Sequence, residues 1–214
     1  MMARKFVLKD VLRVSWKGLI SQIWLLAGLF IGYITVTLAL ILLIPFPAKG
    51  TTIGLTGIAV ALLSLAFSLL FSLGYTKNLF QTLDGEEPQF SAYGQQSRKI
   101  ITLFIASLIY ALIVIIGAAL LIVPGIYLSI RLQFFVAAIV EEDAGIIASL
   151  KRSWAISNGQ VIPLLIFLLV SKGLSVLGLA FFVIGFFVTF PLAGLMYCNV
   201  FRKLTTFTTE EIRE

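Results

Sequence analysis

Polar residues in this chain gather in short clusters, and the stretches between them are apolar almost without interruption. Unbroken apolar runs of about 20 residues predict membrane-crossing α-helices, whereas a β-barrel would show short alternating segments. The runs mark six spans, at 19–44, 53–80, 98–123, 125–140, 160–178 and 184–203. Pro45 and Pro47 end the first span, and a polar break at 81–97 separates the second from the third. From Gln160 to Leu204 the chain is almost continuously apolar. At a rise of about 1.5 Å per residue this is too long for one crossing and suits two, with a reversal near Gly178 to Gly185. Pro191 falls inside the last span and is expected to kink it. The tail, 205–214, reads as polar and frayed.

Two stretches are amphipathic. Within 1–18, Lys5, Lys9, Arg13 and Lys17 recur every fourth residue, which suits a basic helix lying in the membrane interface. The simpler alternative is a positive flank to the first span. In 144–157, Ile146 or Ile147, Leu150 and Trp154 form an apolar edge beside Lys151 and Arg152, with Glu142 or Asp143 placed to cap the helix. Ser15-Trp16 and Ser153-Trp154 are each followed, six residues after the Trp, by a Gln (Gln22 and Gln160) and a new span. Tyr93, six before Lys99, is a fainter third copy. This recurrence suggests three parallel hairpin units entering from one face; the bland alternative is that Trp and basic residues collect at any membrane interface.

Composition narrows the class. The chain has 214 residues, 60% hydrophobic and 12% charged, with mean hydropathy +1.07, whereas soluble domains carry about 25% charged residues. One all-α integral membrane domain, 1–214, follows. The first apolar run greatly exceeds a signal peptide's apolar core of about 7–15 residues, so cleavage is not expected. A single cysteine, Cys198, excludes an intramolecular disulfide, and the absence of histidine removes His-based triads, HExxH zinc sites and His relays. The net charge of +6 reads as topology and attraction to anionic lipid, with no nucleic-acid partner. Thirteen of the sixteen Lys and Arg lie in the N-terminal segment, 77–99, 141–159 and the tail with its approach from 202, while the opposite loops hold only Lys49. With six spans, both termini then face the cytoplasm.

Residues 117–160 organise the rest. Pro124 cannot continue the preceding helix and Gly125 supplies free dihedrals, so the two define a tight hairpin between spans three and four. The run into Ile122-Val123-Pro124-Gly125-Ile126, the acidic turn Glu141 to Asp143, and Ala148-Ser149-Leu150 through Ser153-Trp154 to Gly159 resemble a bacterial family of small polytopic membrane proteins. That family includes YciC-type inner-membrane proteins and the membrane domain joined to some glycerophosphoryl diester phosphodiesterases. Leu83-Asp84-Gly85-Glu86-Glu87-Pro88 and Phe90-Ser91 look like its usual connection. The resemblance implies a six-helix module of the bacterial inner membrane with a largely undefined role; the soluble enzyme domain is absent from this sequence.

Few residues offer chemistry. Arg131, about 9 Å past the turn by helical rise, and Lys172 are cations inside spans that contain no Asp or Glu. An intramembrane charge is a functional hypothesis by default: either they attract an anionic headgroup or a partner's acid, or they snorkel to outer phosphates. Lys5, Lys9, Arg13, Lys17, Lys151 and Arg152 are further candidates for contact with lipid or a partner. Glu141, Glu142 and Asp143 point in different directions and lack spaced partner ligands, so capping and ion pairing with Lys151 or Arg152 fit them better than a metal site. Tyr110, Tyr127 and Tyr197 suit packing, and Cys198 suits an inert apolar thiol, with palmitoylation as the alternative. For helix packing, Gly28 and Gly32 form a GxxxG pair, and Gly57, Ala61, Ser64, Ser68 and Ser72 form a small-residue stripe.

These observations point to a non-enzymatic scaffold, accessory subunit or lipid-organising protein. No cofactor or metal is expected; the partners would be anionic lipids and other membrane subunits. The alternative is a small transporter or lipid translocator with Arg131 and Lys172 on an anionic-ligand path. Against it stands the missing intramembrane acid.

Overall fold

The computed structural model describes residues 6–42, 54–180 and 182–211. These residues are α-helical, with no strand among them: α1 Leu8–Leu42, α2 Leu55–Leu83, α3 Ser91–Gln96, α4 Ile100–Leu120, α5 Ile122–Leu132, α6 Phe135–Glu141, α7 Ile146–Ile156, α8 Val161–Ala180 and α9 Phe182–Glu211. Among the described residues, five stretches are long and apolar enough to cross a membrane: Leu8–Leu42, Leu55–Leu83, Ser91–Leu120, Ile122–Glu141 and Val161–Leu179. The most apolar window of Ile122–Glu141 is 50% buried, against 11–22% in the other four. The α5–α6 segment is therefore the inner element, and the others turn large apolar side chains outward, among them Trp24, Leu62, Ile101, Leu112 and Leu169.

Helix α1 joins the expected interfacial segment to the first span in one element, with a break at Gln22 (φ −131°, ψ 21°) rather than at 18. Val11, Ser15, Leu19, Leu26 and Phe30 face the core, and Lys9, Arg13 and Lys17 form an exposed stripe. Lys5 lies outside the described residues, as does the loop that carries Pro45, Pro47 and Lys49. The second Ser-Trp segment is α7, and Gln160 is the residue before α8, so in both copies the Gln marks where one helical direction gives way to the next. The 81–97 break is more ordered than a loop. Asn78 Oδ1 accepts the backbone N–H of Gln89 at 3.0 Å, and Tyr93 of α3 packs where a side chain at Gly74 would stand.

Pro124 and Gly125 act differently from expectation. The reversal between α4 and α5 is Leu121, in extended conformation (φ −161°, ψ 146°). Pro124 sits in the first turn of α5, where its missing N–H leaves no helical bond unmade. Gly125 is buried, and a Cβ on it would lie 2.8 Å from the Ala118 backbone, so it serves close approach of α4 and α5 rather than a turn. Helix α8 stops at Ala180 and α9 starts at Phe182, inside the expected reversal, and the backbones of Gly178 and Gly185 touch across it. Helix α9 continues through Pro191, and the tail is helical to Glu211 rather than frayed. Thr206 and Thr208 bond back to the carbonyls of Arg202 and Leu204.

The helix ends at 84, 99 and 141 meet Arg202 of α9 in one ionic layer. Arg202 donates to Asp84 (Nη2–Oδ2 2.8 Å) and to Glu141 (Nε–Oε1 3.1 Å). Arg152 pairs with Glu142 at 2.9 Å, Lys99 with Asp143, and the Lys99 ammonium also donates to the Ile139 carbonyl at 3.0 Å. The acids thus pair rather than cap: α7 begins after Gly145 with no side-chain cap. Lys151 is exposed, and Arg152 takes the expected acidic partner. The Arg202 guanidinium holds the Asp84 carboxyl below its ordinary value of 3.8, and Lys99 does the same for Asp143.

Candidate functional site

The sequence reads 125–140 as one span, yet the structure breaks it at Gln133–Phe134. A helix broken in an apolar environment leaves backbone groups that other elements have to satisfy. Here α7 and α9 do so. Ser153 and Ser157 donate their hydroxyls to the Arg131 carbonyl at 2.9 and 3.0 Å, and Ser153 Oγ accepts the Phe134 N–H at 3.0 Å. Tyr197 donates to the Gln133 carbonyl at 2.9 Å and accepts the Ala137 N–H at 3.4 Å. Phe134 stacks on Tyr197, with ring centroids 5.2 Å apart. The break is therefore a fixed structural feature, held from two sides.

The two intramembrane cations lie near this break in unlike surroundings. Arg131 is 4% exposed. Its guanidinium donates to the Trp154 carbonyl at 2.9 Å, to Asn158 Oδ1 at 3.2 Å and to the Tyr127 hydroxyl at 3.4 Å. It lies 4.0 Å from the Trp154 ring centroid and 5.7 Å from that of Tyr127. These contacts tie it to the end of α7, so it neither stands free near the outer turn nor snorkels. Beside it is a cavity of about 480 Å³, bounded by Tyr127, Asn158 and the first turn of α8.

Lys172 is exposed and, among the described residues, no acceptor or carboxylate pairs with it. It stands at a cavity of about 570 Å³ between α1, α2, α8 and α9 that reaches Gln133 at the break. The walls are the faces of Phe30, Phe71, Phe167 and Phe190, interleaved with Ser68, Ser72, Thr76, Ser171, Ser175, Tyr75 and Tyr197. Several of the polar groups are incomplete: Tyr75 Oη, Ser171 Oγ and Gln133 Nε2 are buried without a hydrogen-bond partner. Buried polar groups are nearly always paired, so such a cluster calls for an explanation. Among the described residues no carboxylate lines the cavity.

The small-residue candidates divide. Ser68 meets Tyr33 of α1 at 3.3 Å, Ser72 lines the cavity, and Ser64 bonds its own helix at Val60. Among the described residues Gly28 and Gly32 bring no helix into close approach, since a Cβ on either would meet nothing of them within 4 Å. Tyr110 stacks on Phe135, and Cys198 is fully buried. Among the described residues no group of three or more His, Cys, Asp or Glu is placed to hold a metal ion. The break and the hydroxyl cavity escaped the sequence reading. The one available signal was the serine spacing on α2, read there as packing alone.

No curated protein and no solved structure matches the chain. Residues 92–212, more than half of it, match the family model described as a domain of unknown function, DUF7847, so the segment from α3 to α9 that carries the break and both cations places this chain in that family.

Proposed function

We propose that this chain is a non-enzymatic, multi-pass membrane protein that binds the head of an anionic lipid in the cavity at Lys172 and organises lipid or partner subunits around it. The observation that carries this reading is an exposed ammonium, without an acidic partner among the described residues, at the mouth of a hydroxyl-rich cavity that none of their carboxylates lines. A volume near 570 Å³ falls within the range of about 300–1,000 Å³ typical of ligand sites, which are mostly apolar with a few placed polar groups. Leu169, Lys172 and Val176 share one exposed face of α8. The mouth therefore opens sideways onto the apolar belt, where lipid rather than a water-soluble solute would enter.

In this proposal α9 supplies the sixth crossing over 184–203, the ionic layer and both termini lie at the cytoplasmic face, and the membrane is the bacterial inner membrane. The positive residues counted along the sequence and the resemblance to YciC-type proteins support that placement. Native mass spectrometry of the protein released from its own membrane tests the function. A retained anionic lipid that disappears in Lys172→Met supports it. Preparations without lipid, or a stoichiometric protein partner unaffected by that change, would move the accessory-subunit role to the front.

A second reading, lipid translocation, is favoured by the broken α5–α6 segment, because Gln133 reaches the Lys172 cavity while Arg131, two residues earlier, lines the other. A reconstituted assay of anionic-lipid movement between leaflets separates it from static binding.

A further inference from the structure

Three positively polarised features converge on the cavity beside Arg131, and among the described residues nothing that lines it carries negative charge. The guanidinium is 4% exposed, yet all three of its hydrogen bonds go to neutral oxygens. Among the described residues no carboxylate pairs with it, and its buried Nε has no partner. The cavity is closed on another side by Val161, Ile162 and Pro163, the first turn of the 20-residue helix α8. That turn presents the backbone N–H groups of Val161 and Ile162, which have no intrahelical acceptor (Pro163 has none to offer, and that of Leu164 is bonded to the Gln160 carbonyl), and the positive end of the helix dipole. Gly159, with φ 71°, directs the chain into it, and the Asn158 amide group adds a further donor. An unpaired buried charge is costly, and a nearby anion offsets that cost. Helix N-termini combined with Arg are a recurrent solution for binding oxyanions.

We infer that this cavity is a second binding site, for a phosphate-class oxyanion held between Arg131 and the N-terminus of α8. It uses none of the residues of the Lys172 cavity and stands whether or not that proposal holds. The walls beyond the charged end are Tyr127, Ile162, Pro163 and Ile166, with Ile162 71% exposed. They suit a phosphate attached to an apolar body, and free phosphate shares the same head chemistry.

The test is the thermal stability of the full chain in neutral detergent, titrated in one arm with inorganic phosphate and in the other with phosphatidylglycerol. A saturable rise in Tm in either arm is expected; a rise with phosphate alone identifies a free oxyanion, and a rise with the lipid only identifies a headgroup. Ile162→Glu puts a carboxylate at a favourable helix position next to Arg131. It should raise the Tm of the ligand-free protein and reduce the response at least about tenfold in affinity, whereas Ile162→Gln should respond like the native chain. Ile166→Trp fills the mouth without touching the guanidinium and should also lose the response. The same titrations are run in Lys172→Met, which disables the cavity proposed above; the response should persist there, and that separates the two sites. No response of Lys172→Met in either arm, or a response in that background that survives both Ile162→Glu and Ile166→Trp, would overturn the inference.

Discussion

Arg131 and Lys172 are both cations within apolar helices, and the chain treats them in opposite ways. Arg131 is enclosed: two aromatic rings, a carbonyl, an amide oxygen and a tyrosine hydroxyl hold it, and its own carbonyl anchors Ser153 and Ser157. Lys172 is exposed and without an acceptor among the described residues, although hydroxyls line the cavity at whose mouth it stands. The difference follows from chemistry. A planar guanidinium with five donors satisfies several fixed oxygens and stacks on rings, whereas an ammonium on a flexible stem is a mobile point charge. Arg131 therefore builds the scaffold around the helix break, and Lys172 is left available.

This contrast predicts unequal costs. Arg131→Gln removes the charged donors to the Trp154 carbonyl and the Asn158 side chain, and both cation–π contacts, and should destabilise the protein by about 3 kcal/mol, seen as a lowered unfolding midpoint in detergent. A variant as stable as the native chain would mean that the guanidinium holds nothing together. Next in size is a pair of glycines, one near each cation. Gly125→Ala drives a methyl into the Ala118 backbone, which cannot yield, and should cost about 1–3 kcal/mol. Gly194→Ala, in the lining of the Lys172 cavity, meets only the tip of Leu79 and should cost less than about 1 kcal/mol. Equal costs would show that the two regions are packed with equal rigidity.

Lys172→Met should change stability by no more than about 0.5 kcal/mol, while it removes the preference of the cavity for anions. A large loss of stability would mean that Lys172 is structural after all. The smallest effect belongs to the ionic layer, away from both cations. The carboxyl of Asp84 is held below its unfolded value by Arg202, so the stabilisation is present above about pH 4 and is lost as pH falls through the lowered folded value. The unfolding midpoint should fall on acidification, and less so in Asp84→Asn; because Asp84 is half-exposed, solvent screens most of the gain.

What the sequence made legible follows from range. Long apolar runs report on the local solvent of a helix, and five of them appear among the described residues as helices long enough to cross a membrane. The Gln22 and Gln160 breaks carry a repeated local pattern, and Pro124 falls within three residues of the true reversal at Leu121. The break at Gln133–Phe134 has no such mark: Leu132-Gln133-Phe134-Phe135 contains neither Gly nor Pro, and the groups that hold it open come from Ser153, Ser157 and Tyr197. Those partners lie 19 to 64 residues away in the chain. The two cations stood out because no acid accompanies them in their spans. Their opposite fates were decided by residues such as Trp154, Asn158 and Tyr75, which only the fold brings near.

The most direct test of the account is native mass spectrometry of the native chain and of Lys172→Met, each extracted from its own membrane under identical conditions. Lys172→Met should retain one anionic lipid fewer per chain than the native protein, with occupancy of that site at least about tenfold lower, the scale of one lost charge-assisted contact. Equal retention by the two proteins, or retention of zwitterionic and anionic lipids without distinction, would contradict a lipid-binding role for the Lys172 cavity.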